Sequence, residues 1–144
     1  MTDQSDILVQ LSTALAARAA AARDLVVAIR SSGARHLTGT IWQSELVVAS
    51  EQSLPKRDRF DVTLPRGTAT EATLAGRDPG TNIALLRLAQ PAAAPHASQA
   101  SPEVGALALA FGADGSGGAT AFAADCRAHQ PVSISREVYR TSRK

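Results

Sequence analysis

The chain has 144 residues, which is enough for one domain or one compact half of a larger one. Hydrophobic residues make up 44% of it and charged residues 19%, which excludes an intrinsically disordered chain and indicates a globular one. The net charge of +2 is too small to indicate a polyanionic partner, and only 3% of the residues are aromatic, so we expect no nucleic-acid binding.

The first predicted element is an amphipathic helix within residues 1–23. Ser5 or Asp6 can cap it, because a short polar side chain accepts hydrogen bonds from the first free amides of a helix. An alanine run keeps the helix propensity high through residues 14–22. We expect an apolar stripe at helical spacing to pack against the rest of the domain rather than on a membrane, since the polar face is poor in basic residues. The members of this stripe are Ile7, Leu8, Leu11 and Leu15.

Short apolar runs separated by turn residues follow the helix at intervals of about ten residues. The turns are marked by Gly, Pro or Asn, as at Ser31-Ser32-Gly33 and Asp78-Pro79-Gly80. This spacing favours a small antiparallel barrel or sandwich. The predicted strands comprise residues 25–29, 37–42, 46–49, 60–64, 68–74 and 83–88.

The pattern loosens after the sixth predicted strand. Residues 89–103 form an Ala/Pro/Ser connection without periodicity, and residues 104–111 predict one further strand. The Gly-rich segment 112–118 is typical of a flexible loop, and the chain becomes polar and basic from about residue 125. We therefore interpret residues 113–144 as a Gly-rich loop followed by a basic, irregular tail.

The residues that commonly hold metals or form disulfides give no such pattern. Cys126 is the only cysteine, so no internal disulfide can form. His36, His96 and His129 lie far apart and lack the spacing of a metal site, and no cofactor is expected. The start of the sequence lacks the features of a signal peptide, and no apolar run is long enough to span a membrane, so we expect a cytoplasmic location without membrane association.

Four segments carry more specific motifs. Residues 26–29 and 37–42 form a strand that leads into a second strand with an internal Gly, and residues 46–51 read L-V-V-A-S-E. Residues 75–86 read A-G-R-D-P-G-T-N-I-A-L-L, and residues 104–112 read V-G-A-L-A-L-A-F-G. In this order the segments resemble the opening hairpin, the I-V-T-x-x-H strand, the G-x-D-x-x-T-D-L-A-V-L segment and the V-G-x-x-V-x-A-I-G strand of trypsin-like serine proteases of the HtrA type.

The resemblance implies a mainly β fold. An N-terminal helix would precede a trypsin-like six-stranded antiparallel barrel in residues 24–112, which is the first barrel of the chymotrypsin-like fold. The second barrel of that fold would be incomplete or absent, because residues from about 119 no longer follow the family pattern.

The resemblance also locates the positions of the family's catalytic residues. The catalytic histidine falls at Glu51 and the catalytic aspartate at Asn82. Glutamate, with an ordinary pKa of about 4.3, is a weak base at neutral pH. An amide does not stabilise an imidazolium as a carboxylate does, and the Asp-to-Asn change costs serine proteases about 10⁴ in turnover. The resemblance thus implies a degenerate protease that lacks the catalytic triad.

Two other residues invite a catalytic interpretation. Ser116 lies in Asp114-Gly115-Ser116-Gly117-Gly118, which resembles the family's nucleophile motif in composition. The acidic residue is not directly before the serine, however, and no second barrel precedes it, so we interpret Ser116 as a loop residue. His36 precedes the second strand, whereas the family's base follows the third, so we interpret it as a solvated loop histidine.

The sequence therefore predicts a proteolytically inactive HtrA-type domain that binds an extended peptide or a protein partner, or that serves as a scaffold. Because half of the usual fold is missing, we expect the barrel to present an open edge and an apolar face, which favours self-association. Two alternatives stay open. The chain could be half of a serine endopeptidase whose second barrel comes from another chain, or a non-functional gene fragment.

Overall fold

The computed structural model describes residues 4–93 and 103–125 and has a closed barrel of six antiparallel strands at its centre. A helix precedes the barrel and a hairpin follows it, so the predicted mainly β fold with an N-terminal helix is confirmed. The elements are helix α1 (Gln4–Ala22), barrel strands β1 (Val26–Arg30), β2 (His36–Gln43), β3 (Leu46–Ser50), β4 (Arg59–Thr63), β5 (Ala69–Asp78) and β6 (Ile83–Leu88), and hairpin strands β7 (Leu107–Ala113) and β8 (Ala119–Asp125).

The barrel strands are paired in the order β1, β2, β3, β6, β5, β4, and β4 pairs again with β1. The closing pairs are Ala28 with Thr63 and Ile29 with Val62. Every barrel strand thus has a neighbour on both sides. The expected open barrel edge is wrong, because six strands are enough to close the sheet and leave no strand unpaired.

Apolar side chains from alternate strand positions fill the barrel interior. Phe60 and Val62 on β4 are 1% and 2% exposed, whereas Asp61 between them is exposed. This alternation follows from the two-residue period of a strand. The remaining core is aliphatic, as the low aromatic content requires, and includes Val27, Ile29, Ile41, Val47, Ala49, Ala72, Ala84, Leu86 and Leu88.

Strand β5 continues past the predicted end at residue 74 because it contains a bulge. Leu74 pairs with Leu86, but Gly76 pairs with Leu85, so Ala75 is an extra residue on β5. Beyond the bulge, Arg77 pairs with Ala84 on β6. Since β6 also pairs with β3, the extension carries Arg77 to the end of the barrel where β3 ends.

Helix α1 leaves most of its apolar stripe uncovered, and only Leu15 is half-buried. Ile7, Leu8 and Leu11 are 54%, 65% and 48% exposed, so the expectation that this stripe packs against the rest of the domain is wrong. The closed barrel already holds its apolar side chains inside, and Trp42 is the one exposed large apolar side chain of residues 26–93. The expectation that the barrel exposes an apolar face is therefore also wrong, because the barrel is closed.

Within the described residues, no helix is both long enough and apolar enough to cross a membrane.

Strands β7 and β8 form a two-stranded hairpin beside the barrel. Their register runs from Leu107 opposite Asp125 to Ala113 opposite Ala119. The first of these strands is predicted from the sequence, but the second is not. The run A-T-A-F-A-A-D is dominated by alanine, which has little preference for strands, so it gives a weak signal. The rest of the predicted irregular tail, residues 126–144, lies outside the described residues.

Gly39 on β2 is required by the packing of the barrel. A Cβ atom at this buried position would lie 2.6 Å from Val47 Cγ1 and 2.9 Å from Ile29 Cδ1. We expect Gly39→Ala to lower the free energy of unfolding by about 1–3 kcal/mol, because close-packed neighbours must move to admit a methyl group.

Urea denaturation followed by circular dichroism measures this effect. Gly112→Ala is the matched control, since a Cβ there meets only Thr38 Oγ1, at 3.8 Å. We expect the control to change stability by no more than about 0.5 kcal/mol. Equal effects of the two substitutions would contradict the packing at Gly39.

Candidate active site

The barrel brings together the two positions that the resemblance assigns to catalytic residues. Strand β3 ends at Ser50, which pairs with Ile83, the first residue of β6. Glu51 and Asn82 are therefore neighbours on adjacent strand ends. The Glu51 backbone N–H donates a hydrogen bond of 3.1 Å to the Asn82 carbonyl.

The Asn82 side chain holds the turn after β3. Its Oδ1 accepts hydrogen bonds from Ser50 Oγ at 3.0 Å and from the Gln52 backbone N–H at 2.9 Å. Its backbone is left-handed, with a φ of 57°, a conformation that asparagine adopts more readily than most residues. Asn82 thus has a structural role here that requires neither an imidazole nor a carboxylate beside it.

The Glu51 side chain forms an ion pair with Arg77. Arg77 Nη1 lies 3.2 Å from Glu51 Oε1, and the two side chains are only 16% (Glu51) and 17% (Arg77) exposed. The same guanidinium donates to the carbonyls of Leu54, at 3.2 Å, and Pro55. Arg77 therefore ties residues 51–55 together, and the carboxylate at the histidine position is engaged by a cation.

Ser116 lies at the tip of the β7–β8 hairpin, where it is bonded to an acid. Asp114 Oδ1 accepts hydrogen bonds from Ser116 Oγ at 2.6 Å and from the backbone N–H groups of Ser116 and Gly118, both at 2.8 Å. These bonds, led by that from the serine hydroxyl and assisted by the charge of nearby His36, hold the pKa of Asp114 below its usual value.

His36 contacts this tip, and no feature of the amino-acid sequence predicts that contact. A Cβ atom at Gly115 would lie 2.5 Å from Cε1 of the His36 ring, so the imidazole lies directly against this glycine. The structure thus places His36 beside the turn that holds Asp114 and Ser116, which comes much later in the sequence. The contact exists because the hairpin lies beside the start of β2, and this packing leaves no pattern in the sequence.

The grouping does not supply a serine nucleophile. The acceptor of the Ser116 hydroxyl proton is a carboxylate whose pKa is lowered, whereas a general base near neutral pH is needed for attack on a peptide. Within the described residues, no hydrogen bond joins Ser116 to Glu51 or Asn82. The interpretation of Ser116 as a loop residue stays a prediction, and this geometry favours it.

The hairpin tip is attached to the barrel by its backbone. The Ala113 N–H donates to Thr38 Oγ1 on β2 at 2.9 Å, and the Arg66 N–H donates to the Gly117 carbonyl at 3.2 Å. Gly117 has a φ of 84°, and a Cβ there would lie 2.4 Å from the Gly67 nitrogen. The tip therefore needs glycine at residue 117 both for its backbone conformation and for its close approach to the barrel.

We expect Asp114→Ala to speed hydrogen exchange at the amides of Ser116 and Gly118, because both lose their acceptor. Since the folded pKa of Asp114 is lowered, its contribution to stability is present above pH 4, roughly, and is lost as the pH falls further through the folded pKa. NMR-detected hydrogen exchange measures both effects.

Asp78→Ala is the matched control for this prediction. Asp78 caps a different turn by accepting from the Gly80 N–H and Thr81 Oγ1, so its loss should leave residues 116–118 unchanged. Unaltered exchange at Ser116 and Gly118 in Asp114→Ala would contradict the described hydrogen bonds.

The residues of the described ranges offer no metal centre. Within residues 4–93 and 103–125, no three or more His, Cys, Asp or Glu side chains are grouped to hold an ion. Three other residues weighed from the sequence, His96, Cys126 and His129, lie outside these ranges.

Comparisons with known proteins establish the fold. No protein-family profile and no curated protein matches the amino-acid sequence. The structure of the serine endoprotease from Yersinia pestis matches with a TM-score of 0.62 at 22% identity, over 76% of this chain and 42% of that chain. The MamO protease domain from Magnetospirillum magneticum, in its apo form, matches with a TM-score of 0.64 at 17% identity, over 80% of this chain and 67% of that chain.

The chain has a trypsin-like fold. The resemblance drawn from the four sequence motifs is thereby confirmed at the level of the fold. The trypsin-like barrel described above, with its hairpin, spans less than half the length of the Yersinia pestis protein. In this trypsin-like chain, the positions that the sequence resemblance assigns to the family's histidine and aspartate are Glu51 and Asn82.

Proposed function

We propose that the chain is a degenerate HtrA-type serine protease domain that does not cleave peptides and instead binds an extended protein segment or serves as a scaffold. The observation that carries this proposal is the ion pair between Glu51 and Arg77. Catalysis by serine requires a neutral base at this position that can accept and return a proton. A carboxylate held by a guanidinium does not perform that role.

The surroundings of the pair give further support. The side-chain oxygen of Asn82 accepts hydrogen bonds from Ser50 and Gln52 and does not orient a base. Arg77 closes the loop after β3 through two backbone carbonyls. These contacts stabilise the barrel end without any catalytic group, as expected of a fold retained for binding rather than for chemistry.

Strand addition is the binding mode that the topology favours. An extended segment can add to a sheet edge through main-chain hydrogen bonds. The barrel is closed, so among the described residues the strand edges that lack a neighbour belong to the β7–β8 hairpin. Exposed Leu107, at 55%, adds an apolar contact at the start of that hairpin.

Labelling with a fluorophosphonate probe, followed by intact-mass analysis of the full chain, tests the loss of catalysis. We expect no adduct, because no serine in the described residues is hydrogen-bonded to an imidazole, and the acceptor of the Ser116 hydroxyl is a carboxylate of lowered pKa. Ser116→Ala is the control that identifies any adduct on the hairpin. Labelling of a serine at one adduct per chain would overturn the proposal, and labelling only in the presence of a second protein would favour half of an endopeptidase.

Binding is tested separately by hydrogen exchange of the full chain with extended apolar peptides. Protection of the β7 and β8 amides, with no change inside the barrel, is the expected result. Protection confined to the barrel strands or to α1 would contradict strand addition at the hairpin.

A further inference from the structure

The hairpin presents one edge that the barrel does not use. The Asp114 N–H donates to the Gly118 carbonyl at 3.0 Å and closes the hairpin. Hydrogen-bonded and non-hydrogen-bonded pairs alternate along an antiparallel ladder. Ala113 and Ala119 therefore form a non-hydrogen-bonded pair, whose backbone groups point away from the hairpin. The Ala113 N–H indeed points away from β8, since it donates to Thr38 Oγ1 on β2.

The same alternation identifies the residues of β8 whose backbone N–H and C=O groups point away from β7. The outward edge of β7 faces β2, as Ala113 shows, so β8 carries the edge on the far side of the hairpin. The outward backbone groups of β8 belong to Ala119, Ala121, Ala123 and Asp125. None of them forms a backbone hydrogen bond to another described residue.

This edge lacks the features that normally prevent strand pairing. Natural edge strands are commonly blocked by Lys, Pro, a bulge or a short length. Strand β8 has seven residues, no proline and no lysine, and its register with β7 contains no bulge. Its single charged residue, Asp125, is at one end.

We propose that the occupant of this edge is β8 of a second copy of the chain, paired antiparallel across a two-fold axis. The inference rests on the proposed function, since it names the strand that the non-catalytic hairpin binds. With the axis at Phe122, Ala119 lies opposite Asp125 of the second copy and Ala121 lies opposite Ala123. All seven residues then pair, and every outward group meets an outward group.

The position of Asp125, the one charged residue of β8, favours the antiparallel pair over a parallel one. In a parallel pair, the two Asp125 residues would lie side by side. In the antiparallel pair they lie at opposite ends, about 20 Å apart at roughly 3.4 Å per residue. A two-stranded hairpin is marginally stable alone, whereas the pairing gives a four-stranded sheet with both β7 strands at its outside.

The oligomeric state of the full chain tests the proposal, measured by sedimentation velocity over a range of concentrations. We expect a dimer, and we expect Ala121→Pro to weaken it by about tenfold or more in Kd, because proline removes an outward N–H. The inward bonds to β7 come from the residues on either side, so the hairpin itself should remain. Ala121→Val keeps the N–H and is the matched control, which should remain dimeric.

Disulfide cross-linking tests the register. In a Cys126→Ser background, Phe122→Cys should form a disulfide-linked dimer on mild oxidation, because residue 122 lies on the axis. A non-hydrogen-bonded antiparallel pair has Cα atoms about 4.5 Å apart, within the range of a disulfide. Ala124→Cys is the control and should stay unlinked, since the two residues would be about 14 Å apart along the strands.

Three outcomes would overturn the inference. These are a monomer at all concentrations, a dimer unaffected by Ala121→Pro, and equal cross-linking at residues 122 and 124. A dimer lost instead on Leu11→Glu would assign the interface to α1. Failure here is distinguishable from failure of the proposed function, because absence of fluorophosphonate labelling and binding of extended peptides to a monomeric chain would leave that function standing.

Discussion

Replacing Phe60 with alanine is expected to lower the free energy of unfolding by about 3–5 kcal/mol. Phe60 is 1% exposed and projects from β4 into the interior of the barrel, where it belongs to the same cluster as Ile29 and Leu86. A closed barrel restricts how far its strands can collapse into the space left by the ring. Part of the loss also comes from Arg57, whose guanidinium carbon lies 5.0 Å from the ring centroid.

Equilibrium unfolding in urea, followed by far-ultraviolet circular dichroism, measures this loss. Trp42→Ala is the matched control, because it removes an even larger aromatic side chain that is 53% exposed. We expect the control to cost no more than about 1 kcal/mol. Similar losses for Phe60→Ala and Trp42→Ala would show that the described barrel interior is wrong.

Replacing Arg77 with methionine is expected to lower the free energy of unfolding by about 2–3 kcal/mol. The substitution keeps the apolar stem but leaves the Glu51 carboxylate, which is 16% exposed, without its cation. It also removes the donor to the carbonyls of Leu54 and Pro55. Removing Glu51 as well, in Glu51→Gln/Arg77→Met, should restore about 1–2 kcal/mol, because no unpaired charge is left.

The ion pair between Arg87 and Glu45 gives a control of matched geometry. Its N···O distance is also 3.2 Å, but its side chains are 46% and 53% exposed. Exposed pairs contribute little, so Arg87→Met should cost less than about 1 kcal/mol. A loss for Arg77→Met no greater than that for Arg87→Met would mean that the Glu51 position is solvated and that Arg77 does not hold it.

The strands were predictable from the sequence because each barrel strand carries its own signal. Phe60 and Val62 alternate with polar residues, and Pro65 and Gly67 mark a turn after them. The extension of β5 to Asp78 was not predictable in the same way. Ala75-Gly76 interrupts the alternation, and the bulge that absorbs the extra residue is visible only in the pairing with β6.

The candidate site was predictable in position but not in contacts. The resemblance identified Glu51 and Asn82, and the pairing of β3 with β6 makes them neighbours. The partner of Glu51 could not be read from the sequence, because Arg77 reaches it through the bulged end of β5 from 26 residues away. The same limit applies to His36, whose contact with Gly115 depends on where the hairpin tip lies on the barrel.

Peptidase activity of the purified full chain tests the proposed absence of a catalytic base at residue 51 most directly. Fluorogenic peptides and an unfolded protein substrate would be incubated with the wild-type chain and with Glu51→Ala. We expect no cleavage above buffer from either protein, because neither carries an imidazole at this position. Cleavage by the wild-type chain that disappears in Glu51→Ala would contradict the account, since it would make the carboxylate itself a working base.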